Sequence, residues 1–192
     1  GNPLYKPRHT RTVAYRLTPE EEDLYNAVTD YLSKRKKEAS ESNNIHVSLA
    51  LQVMQRRLVS SIFAIMNTLE KRYKALRSLV DELTKNPDLW KQGKKLAAEM
   101  EGVEDIDDYD DLDDEDRDVL DGIMSDPKKF KWFTTAKSPS ELRKEAEDVE
   151  ILYNKAKALY DSGVEEQKFQ KLKELLKSEQ VVDGEKLVIF TE

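Results

Sequence analysis

The residue types that do chemistry are scarce in this 192-residue chain, and their spacing is unfavourable. Cysteine is absent, which excludes thiol nucleophiles, Cys-based zinc sites, iron–sulfur clusters and disulfides. The two histidines, His9 and His46, have no neighbours at metal-ligand spacing and read as surface residues. Gly93-Lys94-Lys95 lacks both the upstream glycine and the Ser/Thr of a phosphate loop. An EF-hand loop starting at Asp105 needs glycine where Asp110 stands and a ligating oxygen where Tyr109 stands. The Asp-rich run therefore reads as a solvated acidic linker, with an acidic tract that competes with nucleic acid for a basic surface as the alternative. The chain itself is expected to be non-catalytic and to hold no cofactor or metal.

Basic residues offer the other chemistry, contact with phosphates. Lys34 to Lys37, Arg56-Arg57 and Lys71-Arg72-Lys74-Arg77 are the clusters, and Arg56, Arg57, Arg72 and Arg77 are the candidate contact residues. The bland reading of such clusters is a solvated helix face. Phe130-Lys131-Trp132-Phe133 suits base stacking on composition, or, more commonly, anchors a core.

The net charge of −7 conceals a division into three. Residues 99–118 hold thirteen acidic residues and one arginine, a net −12. Residues 1–98 carry eighteen Lys/Arg against eleven Asp/Glu, a net +7, and residues 119–192 sum to −2. Hydrophobic residues are 38% and charged residues 37%, so the core is expected to be thin and the helical faces exposed. Six glycines and six prolines are too few for a turn-rich β-sandwich or barrel. No apolar run approaches the roughly 18 residues of a membrane span, and residues 1–11 lack the apolar core of a signal peptide. A soluble, cytoplasmic, helical protein is expected.

The elements that must position these residues are mostly helices. Residues 1–18 form an extended lead-in, with Val13, Tyr15 and Leu17 on one face of a short strand. Thr18-Pro19-Glu20-Glu21 is a capping box with proline at the first helical position, and it starts a helix to about Lys37. From His46 to Asn86 there is neither glycine nor proline. Apolar residues recur in steps of three and four from Val47 to Leu83, which predicts one unbroken helix of about 60 Å. Ser138-Pro139-Ser140-Glu141 repeats the cap of the first helix and starts another over 139–161, and a further helix spans 165–178. Leu187-Val188-Ile189-Phe190 reads as a strand buried on both faces, the opening of a sheet that the chain does not contain.

Three segments together resemble the Swi/Snf-type ATPases of helicase superfamily two. Lys6-Pro7-Arg8-His9 followed by residues 12–25 resembles that family's strand after its first motor lobe and the helix with a Leu-Tyr pair, here Leu24-Tyr25. Gln55-Arg56-Arg57-Leu58-Val59-Ser60-Ser61, with Ala64, Leu69, Arg72 and Leu76, is similar to the long helix of its prokaryotic members. Lys186 to Glu192 looks like the opening strand of the second RecA-like lobe, and residues 165–177 resemble the helix before it. The resemblance implies a helical region between two motor lobes, in a parent that binds ATP and magnesium and moves along duplex DNA. The phosphate loop, acidic box and arginine finger of such a parent match nothing in this chain, and residues 86–135 match no part of the family.

The expected fold is mainly α: an elongated bundle around one long helix, with short terminal strands. The expected organisation is a lead-in over 1–18, a helical region over 19–98, an acidic linker over 99–137, a helical hairpin over 138–180 and the start of a second lobe over 181–192. The expected partners are flanking RecA-like lobes of the same polypeptide and duplex DNA, with no membrane; the isolated fragment is a candidate homodimer. The alternative is a stand-alone helical protein-interaction module.

Overall fold

The computed structural model describes residues 12–42, 45–93, 118, 122 and 124–177. Its helices are α1 (Pro19–Glu41), α2 (Ile45–Ser60), α3 (Ile62–Lys85), α4 (Pro127–Phe130), α5 (Pro139–Asp161) and α6 (Gln167–Lys177). A further helical turn covers 89–93, and no strand occurs among the described residues. The expected mainly-α bundle is what forms.

The two capping sequences start helices where expected. Thr18 Oγ1 accepts from the Glu21 N–H (3.2 Å), and the Thr18 N–H donates to Glu21 Oε2 (2.7 Å), closing the box at α1. At α5, Ser138 Oγ accepts from the Glu141 N–H (3.3 Å), while the Glu141 carboxylate accepts from the Lys137 N–H (2.8 Å), one residue before the cap. The first helix runs four residues past its expected end at Lys37. Its last turn is tied down by tertiary contacts: Glu38 accepts from Arg35 (2.9 Å) and from Thr135 Oγ1 (2.7 Å), and Ala39 is buried.

The single long helix expected over 46–86 is two helices. Ser61 adopts an extended conformation (φ −165°, ψ 159°), and its Oγ accepts from the Ala64 N–H (3.1 Å), capping α3. Arg57 donates to Thr68 Oγ1 across this break (3.0 Å). In a straight helix, residues eleven apart rise about 16 Å, too far for that bond, so the chain turns a corner at Ser61. The apolar periodicity passes through the corner unchanged because Leu58, Ile62 and Ile65 are buried on both sides of it.

The corner decides the packing. It lays α2 against α1 and leaves α3 lying along α5, with α1 also touching α5 and α4 seated on α3. Ile65, Leu69, Leu76 and Leu79 of α3 meet Leu142, Ala146 and Val149 of α5 in the core, joined by Val28 and Leu32 of α1 and Met54 of α2. Each fully buried aliphatic side chain contributes about 1.5–3 kcal/mol against leaving it in water. Leu49, Ala50 and Val53 are buried as well, so α2 is enclosed on more than the one face that its stripe marks.

The stretch assigned from sequence to an acidic linker over 99–137 is, from Met124 onward, part of this core: Met124, Phe130, Phe133 and Ala136 are buried. The aromatic cluster at 130–133 is thus a core anchor, and Phe130 and Phe133 are not presented for base stacking. Residues 12–17, expected as a strand, take no strand pairing; Tyr15 and Leu17 are exposed. The other expected strand, 187–190, and the acidic run over 99–117 lie outside the described residues. No helix among the described residues is long and apolar enough to cross a membrane.

Candidate functional site

Two polar constellations stand out, one inside the bundle and one at its corner. The inner one arises because three charged residues occupy positions on apolar stripes. Arg35 follows Val28, Tyr31 and Leu32 on α1; Arg72 lies between Leu69 and Leu76 on α3; Glu145 lies between Leu142 and Val149 on α5. Helical spacing of three and four turns each of them inward. Glu145 is 1% exposed and Arg72 4% exposed.

Their pairing is complete around the carboxylate. Arg72 Nη2 donates to Glu145 Oε1 at 2.6 Å, the Tyr31 hydroxyl donates to the same oxygen at 3.2 Å, and Thr134 Oγ1 donates to Oε2. Arg72 Nη1 donates to the Phe130 carbonyl (2.9 Å), and the guanidinium lies over the Phe130 ring at 5.1 Å. Arg35 extends the network outward to Glu38, to Thr135 and to Asp148 (3.3 Å), although its Nε has no partner. Burial alone pushes the Glu145 carboxyl up, but Arg72, Arg35 and the Thr134 hydroxyl outweigh it and hold it below the usual glutamate value. Burial, and then the Glu145 charge, push the Tyr31 phenol far above its usual range. A carboxylate held ionised and saturated with donors is a poor proton carrier at neutral pH. The arrangement pins α1, α3 and α5 together and offers no reacting position.

The structure separates the four arginines singled out from sequence. Arg72 is spent inside the bundle and is not available to a phosphate. Arg57 is half-buried and braces the α2–α3 corner through Thr68. Arg56 and Arg77 are exposed, on α2 and α3 respectively. Arg77 stands five positions after Arg72, which points them about 140° apart around α3. The sequence reading missed the Glu145 network, and the signal that marks it is a charge standing where the stripe calls for an apolar residue.

The outer constellation closes the corner. Break points between helices leave orphan N–H groups at one start and orphan carbonyls at the other end. Glu166 Oε1 accepts from the Ile62 N–H at the start of α3 (2.9 Å), and Lys168 Nζ donates to the Val59 carbonyl at the end of α2 (3.0 Å). Each charge sits at the helix end whose dipole favours it. Glu21 Oε1 accepts from the Gln167 N–H (2.9 Å), so the carboxylate that closes the box at α1 also caps α6. Burial, and less so the neighbouring Glu21 charge, raise the Glu166 carboxyl, against the Ile62 N–H and Lys168, which lower it. Here Ala14, Tyr15 and Arg16 of the lead-in form one wall of an open groove and Gln167, Gln170 and Lys171 of α6 the other. Phe63 (52% exposed) leans on Tyr160 with ring centroids 5.6 Å apart beside this corner, and Val164, four residues after Tyr160, is exposed as well.

Among the described residues no group of three or more His, Asp or Glu side chains is placed to hold a metal ion. Fold and site together describe a helical bundle pinned by a buried ion network, with a second set of polar contacts closing the α2–α3 corner. No protein-family model, curated relative or solved structure matches the chain.

Proposed function

We propose that this chain is the helical region joining the two motor lobes of a Swi/Snf-type, DNA-dependent ATPase, with a mechanical and not a catalytic role. The observation that carries the reading is the meeting of residues 14–16 with α6 across one groove. A region inserted between two lobes has to receive and return the polypeptide at neighbouring points, as inserted domains generally do. In this reading residues 12–17 and 187–190 complete strands of the flanking RecA-like lobes, and the parent, a cytoplasmic protein, binds ATP and magnesium there. Arg56 and Arg77, with Arg57 next to Arg56 on α2, are the candidates for contact with duplex DNA or with a lobe.

The test is ATP hydrolysis by the full-length parent, with and without duplex DNA, beside this chain alone. Hydrolysis that DNA stimulates in the parent, with none from the chain, is expected. Absence of hydrolysis from both discards the motor reading. A second reading, a stand-alone helical interaction module, is favoured by the exposed Phe63, Tyr160, Val164 and Phe169. The coding sequence upstream separates the two: a motor lobe with a phosphate loop before residue 1 belongs to the first reading only.

A further inference from the structure

α6 is attached to the bundle differently from every other long helix described. It buries no residue, and Phe169 and Leu176 on it are exposed, whereas α1, α3 and α5 each bury six or more. Leu172 and Leu175 are only half-buried, so apolar burial contributes less to holding α6 than it does to holding α1, α3 or α5. The hydrogen bonds that tie it to α1, α2 and α3 are a set of polar clasps gathered at its first two residues and the residue before them. Glu166 grips the Ile62 N–H, Lys168 grips the Val59 carbonyl, and Glu21 grips the Gln167 N–H.

All three clasps fall on unpaired helix ends, of α3, α2 and α6 itself, and two of them are made by residues only two positions apart. Releasing that short stretch frees the helix without opening the α3–α5 core. The stretch joins α5 through Ser162 and Gly163, and Gly163 has φ +69°, a left-handed conformation that glycine adopts without strain. The link beyond Gly163 to Glu165 is exposed. Local openings of this kind occur where buried apolar contacts are few.

We propose that α6 is a latched element, undocking as a unit from the α2–α3 corner while the rest of the bundle stays folded, with Glu166, Lys168 and Glu21 as the latch. The device is a property of the bundle and does not rest on the motor reading. Undocking leaves the Ile62 N–H and the Val59 carbonyl to solvent and swings the outgoing helix away from residues 14–16, so the latch sets the direction in which α6 leaves the corner.

Hydrogen exchange read by mass spectrometry on the full 192-residue chain tests this, comparing the unsubstituted protein with Glu166→Ala and Lys168→Met. A charge-assisted hydrogen bond lost from the docked state alone accelerates exchange about tenfold. The expected result is that acceleration across 167–177 in at least one variant, with exchange of 69–80 and 142–156 unchanged. Lys168→Met leaves the α3 cap intact, so it reports on the latch even if Glu166→Ala fails to fold. Unchanged exchange of α6 in Lys168→Met, together with unchanged or globally raised exchange in Glu166→Ala, overturns the proposal. So does acceleration of α6 and the core together in Lys168→Met, since the helix then opens only by global unfolding.

Discussion

Glu145 shows how one residue organises three helices. Its carboxylate accepts hydrogen bonds from Arg72, Tyr31 and Thr134, which come from α3, α1 and the segment before α5. Removing one partner of a buried pair strands the other charge, so Arg72→Ala is expected to cost about 3–5 kcal/mol in urea unfolding. The double variant Arg72→Met with Glu145→Leu is expected to cost much less than the sum of its parts, because neither charge is then left alone. Additive losses would mean that the pair does not act as a unit. Acid titration gives a second expectation. Glu145 sits below its ordinary value when folded, so its contribution is complete above about pH 4.3 and is lost as pH falls through the depressed value. Glu166 has the opposite sign. Raised by burial and by Glu21, with Lys168 and the Ile62 N–H opposing and Tyr15 close by, it favours the docked state most below about pH 4.3. That contribution fades as pH rises through the raised value. In Glu166→Gln the slow loss of stability above that range is expected to flatten, while the acid limb set by Glu145 stays. These residues were legible only in part. Arg72 was visible as a cation, but the sequence does not disclose that a glutamate 73 positions later waits on the facing stripe.

At the scale of elements, local signals proved sufficient where they were self-contained. The capping box at Thr18 and the serine cap at Ser138 carry their own donors and acceptors, and α1 and α5 start at Pro19 and Pro139 as those caps require. The corner at Ser61 is different in kind. Nothing in the run from Val47 to Leu83 breaks a helix, and a serine alone does not demand one. The break is stabilised from far along the chain, by Glu166 and Lys168 more than 100 residues later. Ser61→Ala removes the local cap alone and is expected to lower stability by about 1 kcal/mol, without straightening the corner. Retention of the exchange pattern across 57–65 in that variant checks the point. Gly93 makes a sharper case. A Cβ there would lie 1.9 Å from Cη2 of the Trp132 ring, so the helical turn at 89–93 rests directly on the indole. Gly93→Ala is expected to cost about 1–3 kcal/mol and to shift tryptophan fluorescence as Trp132 is displaced. An unchanged spectrum with unchanged stability would show that the turn moves away freely.

The molecule as a whole combines a basic surface candidate with a larger acidic charge in the same chain, and this arithmetic bears directly on the proposed contact with DNA. The fold was legible as a helical bundle from periodicity, whereas the meeting of residues 14–16 with α6 was not, because it depends on the Ser61 corner. Charge, by contrast, is fully legible. Residues 99–118 carry −12 of a net −7, so the remainder is +5. Non-specific affinity for duplex DNA follows the cations that displace condensed counterions, and an attached polyanion competes for those cations. The intact chain is therefore expected to bind duplex DNA weakly, and a chain lacking 99–118 to bind it more tightly at low salt. That gain should shrink as salt rises beyond roughly 0.15 M, where the screening length falls to about 8 Å. Arg56→Ala and Arg77→Ala in the shortened chain separate steering from contact. Each phosphate contact removed is expected to lower the slope of log affinity against log salt by about 1, while a cation that acts only through net charge leaves the slope nearly unchanged. If deletion of 99–118 leaves DNA affinity unaltered at every salt concentration, the acidic run does not mask a cationic surface. Arg56 and Arg77 then lose their support as DNA contacts.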